Sequence, residues 1–449
     1  MTYPVPPLLE ERLRALRERP IEPVEKGFGS LAAGGTLSAA ALAAARPPLH
    51  AAGFTYPLLT LRETALRHNI AAMAGYCARA GVALAPHGKT AMSPELAARQ
   101  LRHGAWGITV ATIGQMQTYR AFGFPRLLLA NELVDRAGIA WLAAELAADP
   151  GFEAYCYVDS LDGVQILDRA LERHRFKGPG RPLPVLVELG HDGGRTGCRT
   201  DEQALAVAKA ANAAGTLTVA GVAGFEGTIG GDTQAQTIGR VASFCRRLRG
   251  MAAALAEAGP AQAGPAGPIV TAGGSAYFDV VTRELAGGHA GHLDHVGGTA
   301  AWQVVLRSGA YLTYDHGFYG TVSPGGRGAP GAPALRPALE LWAQVLSRPE
   351  PGLALLGAGR RDAGFDKGLP VPVRVLRSDG GRETSVAGWR ITELNDQHAY
   401  LRVDPGAALA PGDLVALGIS HPCTTLDKWR VLVVVSDQEE VTDAVHAFF

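Results

Sequence analysis

The 449 residues predict a (β/α)8 barrel followed by a mainly β domain. Three observations carry that prediction. From about residue 55, short apolar runs alternate with longer amphipathic stretches, the spacing of parallel strands joined by crossover helices. About eight such runs occur, the number that closes a barrel. After about Gly309 the texture changes, and the Gly/Pro-rich SPGGRGAPGAPALRP leads into short strand-like runs with few helical windows. An open, doubly wound sheet fits the alternation as well. The strand count is what favours the closed ring.

The elements follow in order. Residues 1–54 stand outside the alternation and are expected to pack on the β domain; within them SAAALAAARP reads as a short helix or a flexible segment. LRHNIAAMAGYCARAG places Ile70, Met73 and Cys77 on one helical face. VALAPHG is the first barrel strand. SPELAARQLRHG is the next helix, opened by Ser93 and Pro94 in the cap and first-turn positions. WGITVAT, RLLLANE, EAYCYVD, PVLVELG, LTVAGVAGFEG, PIVTAGGS and finally LDHVGG with WQVVLR continue as strands. Helices such as IGQMQTYRAFG, EQALAVAKAANAAG and the run from Thr233 to Ala258 separate them. The barrel is therefore expected over 55–305. The β domain is expected over 306–449, from ALELWAQVLSRP through LPVPVRVLRS, ETSVAGWRITEL, HAYLRVDP and DLVALGIS to WRVLVVVSD.

Composition narrows the function classes. Hydrophobic residues make up 47% and charged ones 19%, and the formal net charge is +0. That balance argues against a general nucleic-acid or anionic-membrane surface. No apolar run reaches the ~18 residues that span a bilayer, and MTYPVPPLLEERLRALRERP has no signal-peptide core. The five cysteines, Cys77, Cys156, Cys198, Cys245 and Cys423, are scattered and odd in number, so no disulfide framework is expected. A cytoplasmic protein with a small-molecule partner is the expectation.

In a barrel, chemistry sits at the C-terminal ends of the strands. Those ends carry His87 and Lys89, then Asn131 and Glu132, then Asp159. Glu188 runs into GHDGGRTG with His191, Asp192, Arg195 and Thr196, and GFEGT precedes the turn Gly273-Gly274-Ser275. Lys89 alone suits a solvated lysine, and Gly-Gly-Ser alone suits an ordinary strand-to-helix turn. Together they place an amine at the end of strand one and an anion cradle at the end of strand seven. That pair suits pyridoxal phosphate, which needs a lysine and a phosphate anchor. In GISHPCTTLDKWR, His421 and Cys423 are two residues apart and would share one side of a strand. Nitrogen and soft sulfur suit zinc, and two protein ligands leave open positions for catalysis. The other reading is a buried cysteine beside a hydrogen-bonded histidine.

These residues also match a family. APHGKTAMSPEL resembles the cofactor-lysine segment of the fold-type III pyridoxal-phosphate enzymes, in the branch of D-serine dehydratase and D-threonine aldolase. The resemblance runs from about residue 55 to the end and implies an alanine-racemase-type TIM barrel, a β domain and a homodimer. It implies Lys89 as the lysine that carries the cofactor as a Schiff base, Gly273, Gly274 and Ser275 as the phosphate loop, and Arg195 of GGRTG as the arginine near the cofactor. NDQHAYL, from Asn395, resembles a segment shortly before the metal ligands. In the branch's dehydratases those ligands are histidine and cysteine, whereas the aldolases typically carry aspartate second. His421 and Cys423 thus resemble the eliminating side, and SHPCTTLDKW is similar to the motif of bacterial proteins described as amino-acid deaminases. One departure is length, with additions at the N-terminus and around GGRGAPGAP.

The implied activity is pyridoxal-phosphate- and metal-dependent β-elimination from a β-hydroxy D-amino acid such as D-serine, giving a 2-oxo acid and ammonia. Retro-aldol cleavage of a D-threonine or 3-hydroxy-D-aspartate type of substrate, to glycine and an aldehyde, is the alternative. Cofactor carriage without turnover, and racemisation, stay open behind it.

Overall fold

The computed structural model describes residues 5–32, 37–50, 53–175, 182–258, 267–287, 292–293, 302–378, 380–383 and 385–449. Strands β1 (Leu58–Arg62), β2 (Ala83–Leu84), β3 (Ile108–Val110), β4 (Arg126–Glu132) and β5 (Glu153–Val158) come first. They are followed by β6 (Leu183–Leu189), β7 (Leu217–Gly224), β8 (Ile269–Ala272), β9 (His292–Leu293) and β10 (Trp302–Leu306). Eight of these form one parallel sheet in the order β2-β10-β8-β7-β6-β5-β4-β3, with β9 antiparallel against β10. The two ends of that order meet. The Trp106 amide donates to Leu84 O (2.7 Å), the Thr109 amide donates to Pro86 O (3.0 Å), and His87 and Thr109 form a parallel bridge. The sheet closes into the predicted barrel. Of the predicted LDHVGG run only Leu293 lies among the described residues, whereas WQVVLR is described throughout.

The pleat decides what each strand contributes. Leu128, Tyr155, Tyr157, Leu186, Ala220 and Val305 point to the axis and fill it with Trp106. Leu127, Leu129, Cys156, Val185 and Val187 point outward against the helices. Helix Glu63–Ala80 buries Ile70 in the β-domain cluster and Met73 and Cys77 in the barrel cluster, so one amphipathic face joins both units.

The second unit contains β11 (Leu339–Glu350), β12 (Leu353–Leu356), β13 (Val371–Leu376), β14 (Arg382–Glu383) and β15 (Arg390–Leu394). It continues with β16 (Ala399–Arg402), β17 (Leu414–Gly418), β18 (Val431–Val435) and β19 (Val441–His446). Its main sheet has the order β14-β13-β17-β11-β1-β18-β19. The expected boundary at residue 55 therefore needs correction. β1 lies between β11 (antiparallel) and β18 (parallel), so the chain starts a strand in the β domain before crossing into the barrel. LLTLR is almost wholly buried, which an apolar run in either sheet would be.

The N-terminal segment divides as well. Phe28, Leu42, Leu49 and Phe54 pack with Leu58, Trp342 and Val433 on the β domain, but helix Pro7–Glu18 sends Leu9 and Leu13 into the barrel cluster. SAAALAAARP contains helix Ala39–Ala45, capped by Ser38. No described helix is long and apolar enough to cross a membrane.

Candidate active site

Lys89 rides on a single tight turn. Past β2 the chain stays extended to His87, makes the 3-10 turn Gly88–Thr90, and enters helix Pro94–Arg102 with the Ser93 side chain accepting from the Leu96 amide. Tyr119 Oη donates to Gly88 O (2.9 Å) and pins the turn from the neighbouring helix. The amine opens into a cavity of about 230 Å³ at the C-terminal mouth of the barrel. Burial lowers the Lys89 pKa, with Arg195 and Arg307 adding to the effect and Cys423 opposing it. A lysine shifted that way keeps more neutral amine, the nucleophilic form. His87 is held well below the usual histidine range, by burial first and then by Lys89, Arg307 and Arg195. It is neutral, and its Nδ1 has no hydrogen-bond partner.

The same cavity takes in residues from most of the ring. Asn131, Tyr157, Glu188, Arg195 and Thr196 line it from β4 to the loop after β6, and Gly274, Ser275, Arg307 and Ala310 line it from the other side. Arg195 lies over the Phe225 ring, 4.6 Å from its centroid. His191 does not line the cavity; its Nε2 lies 2.8 Å from Thr228 Oγ1.

The Gly273-Gly274-Ser275 turn differs from expectation in one respect. The amides of Gly273 and Gly274 do not face the cavity unpaired. They donate to Oε2 and Oε1 of the fully buried Glu226, at 3.1 and 2.6 Å. The following helix begins only at Phe278. What remains for an anion is Ser275 together with Gly309 and Ala310, which the sequence reading missed. Ser275 Oγ accepts from the Ala310 amide (3.2 Å), and Ser308 Oγ donates to Gly273 O (2.9 Å), so the two segments are stitched together. Glycine is required at 309 because a Cβ there would lie 2.6 Å from His87 O. Arg307, also missed, donates to Thr271 Oγ1 and Gly224 O, both at 2.6 Å. Its signal was its place at the end of WQVVLR, the eighth strand.

Cys423 reaches this cavity from the β domain, with His421 beside it, by a route that the sequence misread. They are not in a strand. β17 ends at Gly418, Pro422 adopts helical angles (φ −58°, ψ −42°), and Cys423 starts a short helix to Leu426. The turn still brings the two side chains into hydrogen-bond contact. Cys423 lines the Lys89 cavity, with Sγ 3.6 Å from Thr90 Oγ1. His421 Nδ1 is held by Asp366 Oδ2 (2.7 Å), and Asp366 Oδ1 accepts from Thr424 Oγ1 (2.8 Å). Contact with Cys423, and then with Asp366, keeps the His421 pKa above its ordinary value.

Comparison with known proteins agrees with this architecture. Residues 61–278 match the alanine racemase N-terminal domain, and residues 338–435 match a serine dehydratase domain. The chain thus carries an alanine racemase N-terminal domain followed by a D-serine dehydratase-like domain, and its homologues are fold-type III pyridoxal-phosphate enzymes. The relatives it matches are named as D-threonine and 3-hydroxy-D-aspartate aldolases and a D-threo-3-hydroxyaspartate dehydratase. A D-threonine aldolase from an Arthrobacter species is 29% identical over 385 residues, 85% of this chain and 89% of that one. The D-threonine aldolase structure from Filomicrobium marinum superposes with a TM-score of 0.72 at 23% identity, covering 88% of this chain and 95% of the other. A cysteine-to-alanine mutant of a D-threo-3-hydroxyaspartate dehydratase, solved in a metal-free form, gives 0.68 at 21% identity, covering 88% and 98%.

The residues present fit the family's cofactor. The cavity combines a half-buried amine with a lowered pKa, a wall formed in part by Ser275, Gly309 and Ala310, and two enclosed polar atoms without partners, His87 Nδ1 and Tyr157 Oη. Buried polar atoms left unpaired in a protein are normally completed by a ligand or water. The donor set at His421 and Cys423 fits a soft divalent ion, and a carboxylate behind the imidazole is the usual support for such a ligand.

Proposed function

We propose that this protein removes the β-hydroxyl group and the amino group of a D-serine-type β-hydroxy D-amino acid, yielding a 2-oxo acid and ammonia. The observation that carries this reading is the entry of Cys423, in contact with His421, into the cavity that holds Lys89. Lys89 would hold pyridoxal phosphate, Ser275 with Gly309 and Ala310 its phosphate, and His421 with Cys423 a divalent ion, zinc by ligand softness. When bound, the cofactor supplies an electron sink beside Cα and the metal a Lewis acid for the departing hydroxyl.

The chain's own residues supply the rest. Lys89, kept partly neutral by burial, is the base for the Cα proton. Arg195 makes no ion pair with a described carboxylate and is free to meet the substrate's or cofactor's negative charge. Asp366 fixes the orientation of His421. A homodimer in the cytoplasm belongs to the same proposal, on the family resemblance; light scattering reads the oligomeric state.

Retro-aldol cleavage is the second reading, favoured by the aldolase names among the relatives. The deciding experiment incubates purified protein, cofactor and metal with D-serine, D-threonine and 3-hydroxy-D-aspartate. Ammonia with a 2-oxo acid supports elimination. Glycine with an aldehyde rejects it in favour of cleavage.

A further inference from the structure

At the mouth of the barrel, β4, β5 and β6 end in carboxylates. Leu128 and Ala130 point to the axis on β4, as do Tyr155 and Tyr157 on β5 and Leu186 on β6. The same two-residue period carries Glu132, Asp159 and Glu188 inward. Their carboxylate oxygens lie within 4.8 Å of one another. Both oxygens of Glu132 and Oε2 of Glu188 are closed off from solvent and meet no hydrogen-bond donor. Asp159 is the exception, accepting from the Gly197 amide at 3.0 Å. No ion pair joins any of the three to a described lysine or arginine. Yet Glu132 and Glu188 are in hydrogen-bond contact. Two carboxyl groups make that contact only with a proton or a cation between them.

We propose that Glu132 and Glu188 share one proton, and that Glu188 presents it to the cavity as the second acid–base group of the site. Glu132, behind it, is the positioning residue. A hard divalent cation fits less well, because it keeps several water ligands and the Glu132 oxygens are sealed from solvent. In the ring order, β6 stands four places from β2, directly across the barrel. Glu188 therefore lines the cavity from the side opposite Lys89. A molecule between them meets an amine on one side and a carboxyl proton on the other.

The surrounding groups favour retention of that proton. From β5 come the Asp159 carboxylate, the Tyr157 phenol and the Cys156 thiol, and none of them brings positive charge. Arg195 and Arg307 act on Tyr157 and Lys89 rather than on Glu132. Burial, then Glu188, then Asp159 push the Glu132 pKa up to about 9.

The acid–base role rests on the proposed function; the shared proton does not. Infrared spectra of the purified protein at neutral pH test the proton directly. A protonated-carboxyl band that shifts in D2O is expected, absent from Glu132→Gln and Glu188→Gln and retained in Asp159→Asn. Turnover tests the role. Glu132→Gln leaves Glu188 with a donor that cannot be given up, so kcat should fall about a hundredfold, KM should stay within about twofold, and the alkaline limb of the pH profile should disappear. Circular dichroism confirms that the variants are folded.

A band that survives in both glutamine variants overturns the shared proton. So does stoichiometric manganese binding to a His421→Ala/Cys423→Ser protein that is lost on Glu188→Gln. Unchanged turnover in folded Glu188→Gln overturns the acid–base role. Finding glycine and an aldehyde as products would sink the elimination reading and leave the infrared result standing.

Discussion

Glu226 offers the sharpest test of how the anion-binding end of the cavity is built. Its fully buried carboxylate accepts from two consecutive amides, Gly273 (3.1 Å) and Gly274 (2.6 Å), the second at the cavity wall. Replacing it with alanine leaves the buried Gly273 amide and the half-buried Gly274 amide unpaired. Each such orphan costs about 1–3 kcal/mol, so Glu226→Ala should lower unfolding stability by about 2–6 kcal/mol. Against the roughly 5–15 kcal/mol that holds a typical domain together, that is a large fraction. Glu226→Gln keeps one acceptor oxygen and turns an amide group toward the second donor, so about half the loss is expected. Urea unfolding of the cofactor-free protein measures both, and titration with pyridoxal phosphate should show weaker binding in the alanine variant, because Gly273 no longer holds Ser275 in place. A loss under about 1 kcal/mol in Glu226→Ala would show that the two amides find other acceptors, and the account of this turn would be wrong.

Other perturbations bear on the same site. Lys89→Ala should abolish the visible absorption of a cofactor–lysine imine; an unchanged band would remove the lysine assignment. Asp366→Ala frees the His421 ring, so zinc affinity by competition with a chelator should fall about 10–100-fold; equal affinity would deny Asp366 its role. Chelation of the wild type should suppress elimination while the cofactor stays bound, read from residual turnover and the cofactor spectrum. Asn69 ties helix Glu63–Ala80 to the segments around Leu312 and Arg336, donating to Leu312 O (3.0 Å) and Arg336 O (2.8 Å) and accepting from the Arg336 amide (2.8 Å). Asn69→Ala should cost about 3–5 kcal/mol by chemical denaturation, since three backbone groups lose their partner; a loss within about 1 kcal/mol would mean that water replaces it.

Much of the fold could be read from local signals. The alternation from about residue 55 gave parallel strands because a crossover helix is the short way to keep consecutive strands parallel. Ser93 and Pro94 announced their helix through cap chemistry that involves only the next turn. Lys89 and Cys423 could be singled out by residue type, and the structure brings both to one cavity. Errors arose where a contact joins distant parts of the chain. LLTLR is apolar in any sheet, and nothing within it states that its neighbours are β11 and β18. The HPC segment has the two-residue period of a strand, but helical angles at Pro422 turn it into a corner.

Residue chemistry and short-range periodicity thus determined the barrel, the β unit, and an amine, an imidazole and a thiol as the reactive inventory. Tertiary structure alone decided their neighbours. It set Glu226 against the glycine amides, Asp366 behind His421, and Glu132 against Glu188 across β5. The physical reason is range. A cap or a pleat acts over a few residues of chain, whereas hydrogen-bond partners and buried charges in a barrel are chosen by which strand ends the closed ring puts side by side.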